Sequence, residues 1–210
     1  MVSKIFTFFV GLLFLINTSF SQNDAKAKAI LDQVSNKVKS FKGLTADFSY
    51  TTKNKQKVKK GSVNGKITLK GQKYYIKQGV TEIFCNGAKV WNYNGSTEVT
   101  VSEVDNDSKT LSPQKLLTNF YDKDFTYKLV NSTGANHQIQ MIPTDKRKNF
   151  KQVDLFVDKT RQLIAKAVIV DKSDNTIEFS LTNMVASNNI TDNKFVFDTA
   201  KYPKVEVIEQ

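Results

Sequence analysis

Few residues in this 210-residue chain could carry out catalytic or metal chemistry. His137 is the only histidine and Cys85 the only cysteine, which excludes a multi-histidine metal site and an intrachain disulfide. A catalytic triad would need a nucleophile and an acid around His137, and the sequence has no nucleophile motif. We therefore interpret His137 as a solvated or locally hydrogen-bonded side chain. Cys85 follows Phe84 in a strand-like run, which favours a buried, unreactive thiol over a reactive one.

The acidic residues offer one further candidate for a metal site. Glu103, Asp105 and Asp107 lie close together, but the glycine and the distal glutamate of a calcium-binding loop are missing. We interpret this stretch as a solvated loop. The sequence has no phosphate-binding glycine loop, and nothing in it brings two carboxylates together. It therefore predicts a protein that is not an enzyme, without catalytic residues, metal or cofactor.

Positive charge is the most pronounced feature of the composition. The chain has 31 Lys and Arg against 20 Asp and Glu, which gives a formal net charge of +11. Lysines are dense between Lys53 and Lys60, and Lys146–Lys148 form a second basic run. Solvated loops explain both runs, and weak attraction to anionic lipid headgroups or to an acidic protein is the alternative. Because no aromatic-interleaved motif accompanies them, we expect no nucleic-acid partner.

The first residues have the order of a secretory signal peptide. Lys4 precedes an apolar run from Ile5 to Ile16, and small polar residues follow as far as Ser21. The apolar run is too short to span a bilayer comfortably. We expect cleavage after Ser21, with an uncleaved N-terminal anchor as the alternative. Residues 1–21 would then be the signal peptide and residues 22–210 a single exported domain.

One helix is predicted at the start of the exported domain, and most later elements are strands. Apolar residues at helical spacing predict an amphipathic helix over Asp24–Ser40. From Leu44 onward the apolar period changes to two, which indicates half-buried strands. Asn86-Gly87 and Asn94-Gly95, each flanked by apolar runs, are strong hairpin signals.

A second, short helix is predicted in the middle of the chain. Ser112 before Pro113 is a favourable helix start, and an apolar stripe follows it. Strand-like runs then continue to Phe195–Phe197 and Val205–Ile208, which gives eleven or twelve strands in all. Many antiparallel strands with short turns predict a mainly β (α+β) fold. We expect a sandwich or a barrel, and a sheet that curls without closing would leave an apolar cavity that the helices can cover.

Two groups of apolar residues are candidates for lining and covering this cavity. The expected cavity residues are Phe48, Tyr50, Ile67, Leu69, Tyr75, Trp91 and Tyr93. The expected lid residues are Ile30, Leu31, Val34 and Val38 from the first helix and Leu116, Leu117 and Phe120 from the second. The same residues would also suit an ordinary packed core, and the sequence leaves that alternative open.

Three stretches of the chain resemble the LolA family of periplasmic lipoprotein carriers. The first is Leu44–Phe48, similar to the family's small-x-Phe opening of strand one. The second is Asn86–Asn94, similar to its Asp-Gly-x-x-Leu-Trp-x-Tyr segment. The third is Asp192–Phe197, followed by Pro203, Val205 and Val207, similar to its closing Phe-x-Phe, Pro and Val signature.

The resemblance implies a half-open antiparallel barrel of about 11 strands, with a helical lid over an apolar cavity. It also implies a monomeric periplasmic carrier without a cofactor. It implies that lipoprotein acyl chains are taken from an inner-membrane ABC-type release complex and passed to an outer-membrane acceptor. In the family, an Arg-Pro pair after the second strand bonds the lid. Lys70 and Gly71 stand at that position here, so the resemblance makes Lys70 the candidate lid latch, with a point charge in place of a planar fork.

Two other functions remain open at this stage. One is a periplasmic sensor or regulatory domain that binds lipid or mislocalised lipoprotein and controls a membrane partner. The other is a carrier of a different amphiphile, such as a glycolipid or a pigment precursor. Sensors of this kind usually carry a second domain, for which we expect no room in this chain, so the sequence favours the carrier over the sensor. It does not separate lipoprotein from another amphiphile as the cargo.

Overall fold

The computed structural model describes residues 23–104 and 121–210. The expected signal peptide lies outside the described residues, as do Asp105, Asp107 and the expected second lid helix with Leu116, Leu117 and Phe120. Among the helices that are described, none has the length and apolar character needed to cross a membrane.

Helices and strands follow each other in nearly the predicted order. Helix α1 spans Ala25–Ser40, and a short helix α2 spans Tyr121–Asp124. The strands before α2 are β1 (Leu44–Lys53), β2 (Lys59–Lys70), β3 (Lys73–Gln78), β4 (Thr81–Cys85), β5 (Lys89–Tyr93) and β6 (Glu98–Glu103). Those after it are β7 (Phe125–Asn131), β8 (Asn136–Pro143), β9 (Phe150–Asp158), β10 (Leu163–Asp171), β11 (Thr176–Ala186) and β12 (Glu206–Glu209). Two 3-10 helices, Asp192–Phe195 and Thr199–Lys201, lie between β11 and β12.

Helix α1 begins directly after its N-cap residue, Asp24. The carboxylate of Asp24 accepts hydrogen bonds from the backbone N–H of Lys26 and Ala27, at 2.8 and 3.3 Å, and so satisfies two of the free donors of the first turn. The predicted helix is confirmed, with Asp24 as its N-cap. Basic residues in the last turn, Lys37 and Lys39, complement the negative end of the helix dipole.

All twelve strands form one sheet in the order β12-β6-β5-β4-β3-β2-β1-β11-β10-β9-β8-β7. Every neighbouring pair is antiparallel except β12 and β6, which are parallel. Gly87 and Gly95 of the predicted hairpin turns have positive φ angles, and so do Gly71 and Gly79 in the turns that follow β2 and β3. In the part of the chain that the structure describes, β12 and β7 do not pair with each other, so the sheet is open. The predicted fold class is confirmed.

Two hydrophobic clusters lie on opposite faces of the sheet. The inner cluster combines Leu31 and Val34 of α1 with buried residues of eight strands, β1–β3 and β7–β11. Because so many strands contribute to one cluster beneath one helix, the sheet must curl around α1. The outer cluster consists of Tyr75, Phe84, Val99, Phe195 and Phe197, with Trp91, Tyr93 and Tyr202 packed against it.

The C-terminal segment, defined here as residues 187–205, packs over the sheet residues of the outer cluster and contributes Phe195 and Phe197 to it. The prediction of a strand at Phe195–Phe197 is wrong, because a 3-10 helix ends at Phe195 and no strand contains Phe197. The alternating rings are instead used for packing, since Phe195 is fully buried and Phe197 nearly so. The last predicted strand is confirmed as β12, shifted by one residue.

Candidate functional site

Four of the expected cavity residues share the inner face of the sheet. On β1 and β2, Leu44 opposes Leu69, Ala46 opposes Ile67, and Tyr50 opposes Val63. Directly opposed residues point to the same face, so Phe48, Tyr50, Ile67 and Leu69 lie together. The ring of Phe48 also stacks on Phe179 of β11, with ring centroids 5.8 Å apart. This part of the site is therefore a continuous apolar surface across three strands.

Helix α1 covers this surface with the residues expected for the lid. Leu31 and Val34 are buried, and Ile30 and Val38 are partly buried against the inner cluster. The buried positions 27, 31 and 34 form one stripe along the helix. The described residues of the predicted lid thus pack against the inner face, while the movement of α1 as a lid stays a prediction.

Polar contacts fix the N-terminal end of α1 to strand β7. The backbone N–H of Tyr127 donates to the side-chain oxygen of Asn23 at 3.0 Å, and that of Leu129 donates to Asp24 at 3.0 Å. Hydrogen bonds from Leu129 and Ala27 lower the pKa of Asp24. Along the helix, the Tyr121 hydroxyl donates to Asp32 at 2.8 Å. The helix is therefore held by polar groups at its N-terminal end and at Asp32, and by apolar contacts over its length.

The inner surface offers little polar chemistry. Within residues 23–104 and 121–210, every buried side-chain nitrogen or oxygen has a hydrogen-bond partner. The same residues contain no group of three or more His, Cys, Asp or Glu placed to hold a metal ion. Such a surface can bury apolar groups.

The other three expected cavity residues lie on the opposite face. On β3, Tyr74 opposes Leu69 and Ile76 opposes Ile67, so both belong to the inner face, while Tyr75 opposes Thr68. Tyr75 then pairs with Phe84, Phe84 with Trp91, and Tyr93 with Val99. The expectation that all seven residues line one cavity is therefore corrected: Tyr75, Trp91 and Tyr93 belong to the outer cluster.

The sequence contained a signal that predicts this division. A two-residue turn at Gly71-Gln72 pairs Lys70 with Lys73, which places Tyr74 rather than Tyr75 opposite Leu69. The run Tyr74-Tyr75-Ile76 has no apolar alternation of its own, so only the turn offset fixes which ring faces inward. Tyr74, Ile76, Ile83 and Phe179 are among the inner-cluster residues that the sequence reasoning missed.

A buried carboxylate lies under the C-terminal segment. Glu82 accepts hydrogen bonds from Lys77 at 2.6 Å and from the hydroxyl of Tyr202 at 3.0 Å. Burial alone would raise the pKa of Glu82, but these two donors hold it below its ordinary value. Burial, together with the nearby Glu82 carboxylate, raises the pKa of Tyr202 to about 12. The network thus anchors the segment to the sheet.

His137 and Cys85 lie in unreactive surroundings. The Nδ1 atom of His137 is 2.8 Å from the hydroxyl of Ser132, and partial burial together with Lys159 lowers the pKa of the imidazole. Cys85 is 1% exposed, and burial raises the pKa of its thiol. Both sequence interpretations, a locally bonded histidine and a buried thiol, are confirmed.

The model of one protein family matches most of the chain. Residues 39–198 match the family model described as "Outer membrane lipoprotein carrier protein LolA". The chain belongs to the LolA family. The match contains the motif stretches Leu44–Phe48, Asn86–Asn94 and Asp192–Phe197 on which the sequence resemblance rested. Curated protein sequences give no match to this LolA-family chain.

Solved structures share the fold of this LolA-family chain at low sequence identity. A conserved protein from Thermus thermophilus has a TM-score of 0.59 at 10% identity, with 88% of this chain and 99% of that chain covered. MucB has a TM-score of 0.51 at 12% identity, with 88% and 66% covered. A LolA superfamily protein from Nitrosomonas europaea has a TM-score of 0.49 at 11% identity, with 81% and 97% covered.

Lys70, the expected lid latch of this LolA-family chain, bonds the C-terminal segment. The ammonium of Lys70 donates to the carbonyl of Ile190 at 2.9 Å and to Asp192 at 2.8 Å. Lys73 donates to the other oxygen of Asp192 at 2.7 Å. These two lysines lower the pKa of Asp192 to about 2. Lys70 thus holds the C-terminal segment, and its described contacts do not include α1.

Proposed function

We propose that this protein is a periplasmic carrier that binds the acyl chains of lipoproteins between the inner face of its sheet and α1. It shuttles them from the inner membrane to the outer membrane and catalyses no covalent step. The observation that carries the proposal is the apolar surface shared by eight strands and covered by one helix, in a member of the LolA family.

The energetics of acyl chains suit such a surface. Each methylene removed from water contributes about 0.8 kcal/mol, so a sixteen-carbon chain gains roughly 12 kcal/mol on enclosure. In the resting protein, α1 covers the surface chiefly with Leu31 and Val34, and burying each of these contributes about 1.5–3 kcal/mol. An acyl chain that takes their place can therefore more than offset the loss of these helix contacts.

The attachment of α1 suits a lid that moves without leaving the sheet. Its apolar stripe can exchange contacts with an acyl chain, because any apolar partner restores the burial. The hydrogen bonds of Asn23 and Asp24 to β7 lie at the end of the helix and involve none of the apolar stripe. They can persist while the stripe is displaced. Binding and release then become two positions of one attached helix.

The proposed partners follow from this cargo. A release complex of the ABC type at the inner membrane supplies the lipoprotein, and an acceptor at the outer membrane receives it. The protein acts as a monomer after removal of a signal peptide at Ser21. No nucleic acid, metal or cofactor takes part.

A photo-crosslinking experiment tests where the acyl chains bind. Benzoylphenylalanine replaces Tyr50, which faces inward, or Thr51, which is its neighbour on the opposite face and bonds Ser62 at 3.0 Å. The protein is incubated with inner-membrane vesicles that contain acylated lipoprotein and is then irradiated. We expect crosslinks to the lipoprotein from position 50 and none from position 51. A Tyr93 variant provides a second control, in a ring that packs against the outer cluster.

The same vesicles distinguish cargo classes. Release of triacylated lipoprotein into the soluble fraction supports the proposal. Crosslinks from position 50 to a glycolipid or pigment precursor, without release of lipoprotein, would replace lipoprotein with that amphiphile as the cargo. Equal crosslinking from positions 50 and 51 would contradict binding at the inner face.

A further inference from the structure

The hairpin that joins β1 and β2 extends beyond the rest of the sheet. Strand β3 pairs with β2 only from Lys66 onward, so residues 59–65 of β2 pair with β1 alone. On the other side, the pairing of β1 with β11 ends where Lys53 opposes Thr176. Residues 54–60, called the basic tip below, therefore project past both neighbouring strands.

The basic tip has a defined shape. The backbone N–H of Asn54 donates to the carbonyl of Val58 at 3.0 Å, and the N–H of Lys57 donates to the carbonyl of Asn54 at 2.8 Å. The side chain of Asn54 also accepts from the N–H of Val58 at 2.9 Å. Lys57 has a φ of 63°, which closes the turn. The side chains of the tip are thus presented from a fixed backbone.

The charge of this region is one-sided. From Phe48 to Thr81 the chain has nine lysines and no acidic residue. Five of these lysines form ion pairs with carboxylates: Lys53, Lys66, Lys70, Lys73 and Lys77. The other four are those of the tip, Lys55, Lys57, Lys59 and Lys60. All four are exposed, and no carboxylate of the described residues forms an ion pair with them.

An apolar side chain stands among these four charges. Val58 is 54% exposed at the end of the hairpin. Lys59 and Lys60 are consecutive residues of a strand and point to opposite faces, so positive charge surrounds the tip instead of forming one flat patch. An apolar apex encircled by lysines matches the layered polarity of a bilayer surface, where anionic headgroups lie above acyl chains.

We propose that the basic tip is a contact site for bilayers that contain anionic lipids. Val58 enters the headgroup layer, and Lys55, Lys57, Lys59 and Lys60 interact with the lipid phosphates around it. A protein partner fits less well, because the tip has seven residues, whereas each side of a stable interface contributes roughly 20–30. The proposal goes beyond carrier function and does not depend on it, since the empty protein has the same tip.

Co-sedimentation with vesicles tests the contact. The purified protein is mixed with phosphatidylcholine vesicles, with or without phosphatidylglycerol, at low and at physiological salt. Each lysine near an anionic surface adds about fivefold to partitioning, so replacing all four tip lysines by Gln is expected to weaken binding by roughly 600-fold. Val58→Ser is expected to weaken it further, by several-fold.

A matched variant separates the tip from net charge. Gln replaces four exposed lysines elsewhere: Lys26, Lys39, Lys128 and Lys172. This variant has the same net charge as the tip variant and is expected to retain most of the binding. Equal losses in the two variants would overturn the proposal in favour of diffuse electrostatic attraction. Unfolding curves for each variant verify that the fold is kept.

A polarity-sensitive dye reports insertion of the tip directly. Val58→Cys accepts the dye at the tip, because the native Cys85 is buried. Blue-shifted emission with phosphatidylglycerol vesicles, and none with pure phosphatidylcholine vesicles, is expected. If the wild-type protein binds neither vesicle but is retained by an immobilised acidic protein or by nucleic acid, the lipid proposal is wrong.

Discussion

The ring of Phe48 lies over the α-carbon of Gly65, its directly opposed partner on β2. A Cβ atom added at Gly65 would stand 2.7 Å from two ring carbons of Phe48 and 2.3 Å from the carbonyl oxygen of Lys77. Glycine at this position therefore lets the ring lie flat on the inner face, where it also stacks on Phe179. The position of Phe48 in the apolar surface therefore requires that its partner Gly65 has no side chain.

Replacing Gly65 tests this relationship. Gly65→Ala forces the Phe48 ring or the β2–β3 backbone to shift, so we expect the free energy of unfolding to fall by about 1–3 kcal/mol. Denaturant unfolding measures the loss. Gly134→Ala is the control, because a Cβ there meets no atom within 4 Å. A loss in Gly65→Ala no greater than in the control would mean that the strands accommodate the methyl group freely.

Acid stability is expected to depend on Asp192. Its two lysine partners lower its pKa from 3.8 to about 2, so its pairing stabilises the folded protein above about pH 4. This contribution is lost as the pH falls toward 2, when the carboxylate becomes protonated. Asp192→Asn should therefore lower the melting temperature at pH 5 and flatten its decline between pH 4 and 2.

Hydrogen exchange tests which segment of the chain Lys70 holds. In Lys70→Met, amides of residues 190–195 should exchange faster, because the lysine that bonds Ile190 and Asp192 is gone. Amides of α1 should be unchanged. Faster exchange in α1 instead would restore Lys70 to the role of lid latch that the family resemblance implies.

Alkaline stability is expected to depend on Tyr202. Its pKa is raised from 10.0 to about 12, so its bond to Glu82 contributes fully below pH 10 and is lost as the pH approaches 12. Tyr202→Phe should lower the free energy of unfolding by about 1–2 kcal/mol at neutral pH and reduce its decline above pH 10.

Tyr93→Phe is the matched control for Tyr202→Phe. Both rings pack against Phe197, but the Tyr93 hydroxyl donates only to the carbonyl of Ser96, at 3.2 Å. The control should lose less stability and keep the wild-type alkaline profile. Identical profiles for the two variants would show that the carboxylate does not hold the segment.

Local sequence determined the elements themselves. The stripe of Leu31 and Val34 and the cap at Asp24 specify α1, because helical period and capping act within a few residues. Glycines such as Gly71 and Gly87 specify the turns, because only glycine adopts positive φ without strain. Strand number and the mainly β class follow from these local signals, and so does the inner placement of Phe48, Ile67 and Leu69.

Only the tertiary structure decided what covers each face. Tyr75 is buried and Trp91 partly buried against the C-terminal segment, which is more than 90 residues away in the chain, and no local pattern encodes that contact. Phe195 and Phe197 alternate like strand residues, yet they pack as rings because their neighbours on the sheet already pair with one another. The same long-range packing brings Lys70 into hydrogen-bond contact with Asp192. Periodicity fixes which residues are buried, whereas their partners depend on how distant parts of the chain meet.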